Sequence, residues 1–156
     1  MKRKKIISSI ILFICFTLAL SGCAQAQALT FENFKAIAEK QSFDVVLYDE
    51  SDLDYDDVKE YSVATNKENG VSMEYIQFDT TKEASAVFDV VSENIDEAKD
   101  YEVVEPKIAS VRFGQMSVKN KEQFYSIVQM DDSVLMVYGP NGSEDVVNNM
   151  MKLMGF

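Results

Sequence analysis

The apolar positions of this chain change their spacing from segment to segment, and each spacing predicts a kind of element. Phe31, Phe34, Ile37 and Ala38 recur three or four apart behind Thr30, a good N-cap, so a short helix is expected over about 31–41. Phe43 to Tyr48 has strand composition, and after an acidic stretch from Asp49 to Asp57 a second strand candidate begins at Tyr61. Asn69-Gly70 is the strongest hairpin signal, since a type I′ turn needs positive φ at both central residues, and it is expected to join 61–67 to 71–78. Within 71–78, Val71, Met73 and Tyr75 alternate with Ser72 and Glu74 before the phase moves to Ile76 and Phe78. Either both faces are covered near its end or a bulge sits there. Thr80-Thr81 then caps the clearest helix, with Ala84, Val87, Phe88, Val91, Ile95 and Ala98 on one side and Glu83, Asp89, Glu93 and Glu97 on the other. Such a helix should lie across a sheet.

After Pro106 come three strand-like runs, 108–118, 122–130 and 133–139, joined by Lys119-Asn120-Lys121 and Asp131-Asp132, connections short enough for an antiparallel meander. Ser143 caps a last helix whose stripe is Val146, Val147, Met150, Leu153 and Met154. Gly155 fits the C′ position, and Phe156 folds back on the core. The expected fold is therefore α+β: an antiparallel sheet, made of a hairpin plus a three-stranded meander, with about three helices packed on it in a single domain over 30–156. A strand followed by a capped helix occurs twice, at 71–84 and at 133–146. Two β-β-α units account for this echo, and ordinary capping chemistry accounts for it equally well.

The N-terminus carries a different signal. Lys2-Arg3-Lys4-Lys5 precedes an apolar run from Ile6 to Leu20, the charged and hydrophobic regions of a signal peptide and too short for a bilayer span of about twenty apolar residues. Leu20-Ser21-Gly22-Cys23 resembles the lipobox of bacterial lipoproteins. The resemblance implies a signal peptide at 1–22, diacylglycerol thioether-linked to Cys23, and a short tether over 23–29. In organisation, 30–156 resembles small secreted lipoproteins of Gram-positive bacteria, a pattern resemblance that carries no catalytic residue with it. Cys15 lies in the removed segment, so the mature chain keeps one lipidated cysteine and no disulfide is expected.

Charge and composition narrow the function. Removing Lys2, Arg3, Lys4 and Lys5 takes the 15 basic residues to 11 against 26 acids, a formal charge of −15, which argues against nucleic acid and against lying flat on anionic lipid. With no His, Ser-His-Asp and Cys-His sites are excluded, and no Gly-rich phosphate loop or zinc-ligand spacing occurs. What remains is a carboxylate-pair mechanism, for which Glu74 and Glu102 are candidates that sequence alone does not pair. Asp52, Asp54 and Asp56 have the alternation that opens an EF-hand loop, but Asp57 stands where the turn requires Gly and Val63 where the bidentate Glu belongs. Only an irregular, weak Ca²⁺ site is left as a candidate, against a solvated acidic loop. Tyr55 and Tyr61, beside that loop, are candidate recognition residues among seven tyrosines otherwise expected in sheet packing.

The expected role is a non-catalytic binding or accessory module, lipid-anchored on the outer side of a cell membrane and acting on an envelope or membrane protein. The resemblance favours a Gram-positive source. The alternatives are capture of a small molecule or Ca²⁺ and, behind it, a carboxylate-based hydrolase of cell-wall glycans.

Overall fold

The computed structural model describes residues 29–48, 57–97 and 100–156. Cys23 with its leader, and Asp52, Asp54, Tyr55 and Asp56, lie outside the described residues. Within them the chain runs α1 (Phe31–Lys40), β1 (Asp44–Tyr48), β2 (Val58–Asn66), β3 (Val71–Phe78), α2 (Thr81–Glu97), β4 (Glu102–Ser110), β5 (Phe113–Lys119), β6 (Gln123–Met130), β7 (Ser133–Pro140) and α3 (Glu144–Leu153). The strands form one antiparallel sheet of order β1-β2-β3-β7-β6-β5-β4. The α+β class is as expected, but the sheet is larger than a hairpin plus a three-stranded meander.

The extra strands have local causes. The run expected as one strand over 108–118 reverses at Val111-Arg112, where Ser110 pairs with Phe113, so it belongs to β4 and β5. No Gly or Asn marks this turn. Ser110 Oγ accepts from the Phe113 N–H at 3.2 Å, and Arg112 Nε donates to Asp131 at 2.6 Å. Pro106, after which that run is expected to begin, lies inside β4 and is tolerated because β4 is an edge strand with register irregularities on both sides of Glu105. The Asn69-Gly70 turn also differs. Asn66 pairs with Val71, making a four-residue loop in which Gly70 alone has positive φ (+72°), while Asn66 Oδ1 accepts from Glu68 N–H at 2.9 Å.

Both faces of the sheet are covered, which explains the phase change in β3. Val71, Met73 and Tyr75 enter a core with Phe34 and Ala38 of α1 and Val147, Met150, Met151 and Met154 at α3. Ile76 and Phe78 join the opposite core with Ala84 and Phe88 of α2, Met116, Val118, Ile127 and Val134. The bulge sits across the ladder in β2, between Val58 and Glu60. β3 and β7 are antiparallel neighbours at the sheet centre, and a two-fold axis relating them would leave the helices that follow on one face. Those helices lie on opposite faces, so the β-β-α echo is one of local order and not a repeated unit.

Caps and one glycine fix the helices. Thr30 Oγ1 accepts from the Asn33 N–H at 3.3 Å, and Thr80 and Glu83 form a reciprocal capping box at 3.3 and 2.8 Å. Ser143 holds the N-cap of α3, but its buried Oγ makes no capping hydrogen bond. At the far end Gly155 N–H donates to Lys152 and Phe156 N–H to Met151, a Schellman closure that lays Phe156 on the first core. Gly114 lets the Phe88 ring rest on the β5 backbone: a Cβ there would lie 2.5 Å from the ring. Lys107 pins α2 from outside, 2.8 Å from Asp89 and 5.5 Å from the Phe88 ring centre. The described chain enters the closed core at Leu29, whose carbonyl accepts from Tyr75 Oη at 2.9 Å.

Candidate functional site

Among the described residues one helix, α2, covers the second face of the seven-stranded sheet, and α2 does not reach all of it. On the part it leaves, strand register brings polar and aromatic side chains into a row. Tyr48 on β1 pairs with Tyr61 on β2, their rings 5.1 Å apart. Tyr61 Oη donates to Glu74 Oε2 on β3 at 3.1 Å, and from the other side Tyr138 Oη on β7 donates to Glu74 Oε1 at 2.8 Å. Tyr138 lies opposite Tyr125 on β6, stacked at 5.4 Å, and Tyr125 meets Tyr101 edge-on at 5.8 Å. Glu74 is thus bracketed by a tyrosine pair on each side, all partly exposed except Tyr48, which is exposed.

The arrangement is electrostatically one-sided. Among the described residues no Lys or Arg lies within ion-pair distance of Glu74. Partial burial, reinforced by the Glu74 charge and its hydrogen bond, pushes the Tyr61 phenol up to about 12. The same causes, burial first, raise Tyr138, and burial raises Tyr125. These phenols stay protonated at neutral pH, and Tyr61 and Tyr138 act as donors to Glu74. Tyr125 Oη in turn donates to Gln123 Oε1.

Two apolar cavities flank α2. One of about 430 Å³ lies between Val58, Ile76 and Phe78 on the sheet and Val87, Val90 and Val91 on the helix. The second, about 220 Å³, lies between Val91 and Ile95 of α2 and Tyr101, Tyr125, Ile127 and Met136, so Tyr101 and Tyr125 belong to both the cavity wall and the row.

Of the residues singled out from sequence, Tyr61 is in the row. Tyr55, Asp52, Asp54, Asp56 and Cys23 lie outside the described residues, so the recognition pair, the weak Ca²⁺ site and the anchor have no geometry here. Among the described residues no group of three or more acidic or cysteine side chains is placed to hold a metal, and no helix is long and apolar enough to cross a membrane. Glu74 and Glu102 are not brought together. Four strand spacings separate β3 from β4, roughly 19 Å at about 4.8 Å each, against the ~5–9.5 Å that glycosidase carboxylates require. Sequence reasoning missed Tyr48, Tyr125, Tyr138 and the bracketing of Glu74. Their signal was parity: each shares its strand face with the positions that turn toward α2, a fact that becomes useful only once register is known.

No family model and no curated protein matches this chain. Among solved structures it is similar to a GTP-binding regulator from Thermotoga maritima, with 16% identity and a TM-score of 0.55 over 82% of this chain and 89% of that one. At that identity the likeness shows the fold alone.

Proposed function

We propose that the chain is a lipid-anchored extracytoplasmic binding module, tethered through Cys23 and engaging an envelope or membrane protein through the tyrosine row. The observation that supports it is the row itself: five tyrosines and an uncompensated carboxylate on the part of a sheet face that α2 leaves uncovered. Tyrosine offers large contact area with few rotors to immobilise, and sheet-borne side chains are held in place before a partner arrives. The lipobox resemblance supplies the anchor, and the buried Leu29 makes the described domain begin five residues after its Ala24. A tether of that length keeps the domain within about 17 Å of the lipid surface, at roughly 3.4 Å per residue.

The test is cross-linking in native membranes with mass spectrometry on wild type, Cys23→Ala and Tyr138→Ala. Wild type should sediment with membranes and give a discrete adduct. Cys23→Ala should move to the soluble fraction, and Tyr138→Ala should stay anchored but lose the adduct. A Cys23→Ala variant that remains membrane-bound overturns the anchor, and an adduct indifferent to Tyr138 overturns the binding face.

A further inference from the structure

The row's donor and acceptor inventory is lopsided. Tyr61 and Tyr138 each donate their only phenolic hydrogen to Glu74, and Tyr125 donates its own to Gln123. Three phenols therefore have no hydrogen left for a ligand, while their oxygens keep lone pairs. Glu74 offers acceptors only, with two of its roughly four lone-pair sites unused by the phenols. What the centre of the row presents is oxygen lone pairs, a negative charge and the electron-rich faces of two tyrosine pairs. At Glu74 itself an anion finds no donor and a hydroxyl-rich ligand finds its acceptors unanswered, because the phenolic hydrogens not given to Glu74 or Gln123, those of Tyr48 and Tyr101, lie at the two ends of the row. The complementary group has donors, no acceptors and a positive charge. Ammonium has three donors and guanidinium five, and both are attracted to tyrosine faces.

We infer that the tyrosine row receives a basic side chain of its partner protein, the ammonium or guanidinium seated against Glu74 between Tyr61 and Tyr138. Charge complementarity supports this occupant at long range as well as at the site. The chain carries a formal charge of −11, so a basic partner segment is drawn in before contact. The six ion pairs among the described residues use other carboxylates, and Glu74 is left for a cation from outside. Seating that cation turns two phenol hydrogen bonds to a lone carboxylate into a charge-paired network in a partly dry setting.

This inference rests on the row being the binding face, and the experiment separates the two. The full chain, in nonionic detergent with ring-labelled tyrosine, is titrated by NMR with three probes: Nα-acetyl-lysine methylamide, its Nζ-acetylated neutral form, and diacetylchitobiose. The ammonium probe should shift Tyr61, Tyr125 and Tyr138 saturably and leave the buried Tyr75 unmoved. The neutral form should bind about tenfold more weakly, the equivalent of one charge-assisted hydrogen bond. Glu74→Gln should weaken the ammonium probe by a similar factor, and Tyr138→Phe, which keeps the ring, by less. Equal response to charged and neutral lysine probes, or a response unchanged in Glu74→Gln, overturns the inference. Shifts from the sugar alone keep the row as a binding face and overturn its cation preference. Silence of the row toward all three probes removes both.

Discussion

Tyr75 and Tyr138 sit on adjacent strands of one sheet and teach opposite lessons. Tyr75 faces α1 and α3, is fully buried, stacks on Phe34 at 5.3 Å and gives its hydroxyl to the Leu29 carbonyl. Tyr138 faces the other way, is half-exposed, and gives its hydroxyl to a carboxylate that no cation of the described chain neutralises. The first is architecture: a polar tip satisfied by backbone so that a large ring can be buried. The second has the same side chain in the same secondary structure, yet it ends in a charge facing solvent. Among the described residues two helices close one face of the sheet, and a single helix leaves the other partly open. Chemistry collects where cover is missing.

Substitutions that separate the two faces differ in size. Phe34→Ala, in the closed core, should cost about 3–5 kcal/mol, read as a lowered urea midpoint, whereas Tyr125→Ala on the open side should cost less than about 2 kcal/mol. Gly114→Ala drives a methyl into the Phe88 ring at 2.5 Å and should cost about 1–3 kcal/mol while leaving α1 and α3 packed. The paired hydroxyl deletions are the sharpest contrast. Tyr75→Phe strands the buried Leu29 carbonyl and should lower stability by about 1–3 kcal/mol, whereas Tyr138→Phe should cost less than about 1 kcal/mol yet weaken partner binding. If the two phenylalanine variants lose equal stability, the distinction between the faces fails.

The smallest effect is a pH dependence. The Tyr61 phenol is held near 12, above its ordinary value of 10.0, so the folded chain grips this proton more tightly than the unfolded one. Its stability contribution is therefore complete below pH 10 and is lost as pH rises through the folded value of about 12. Absorbance titration at alkaline pH should show late-ionising phenols that titrate earlier in Glu74→Gln. The shift should be only partial, because burial, the larger cause, remains.

Much of the fold was legible because its signals are local. The α2 stripe and the Thr80–Glu83 box are periodicity and capping, which neighbours in sequence settle among themselves. The split of 108–118 into two strands was not legible, since Val111-Arg112 are not turn residues and the reversal is held by a lone serine bond, Phe113 N–H to Ser110 Oγ, together with Asp131, nineteen residues from Arg112. The start of β4 before Pro106 was hidden for a related reason: whether a strand can contain a proline depends on whether it lies at an edge, which is a property of the whole sheet. The row was the least legible part. Glu74 and the tyrosines come from different strands and meet through register, and the order that places β7 beside β3 joins segments about sixty residues apart. Tyr61 was singled out for its place beside an acidic stretch, whereas its actual partner is Glu74 across the hairpin.

The most direct test of the open face as the working surface is tyrosine footprinting with hydroxyl radicals, comparing the chain in its native membrane with the purified full chain. The account predicts that Tyr61, Tyr125 and Tyr138 react in the purified chain and are protected in the membrane, where the partner is present, while Tyr75 stays unreactive in both. Equal reactivity of the row in the two settings would contradict it.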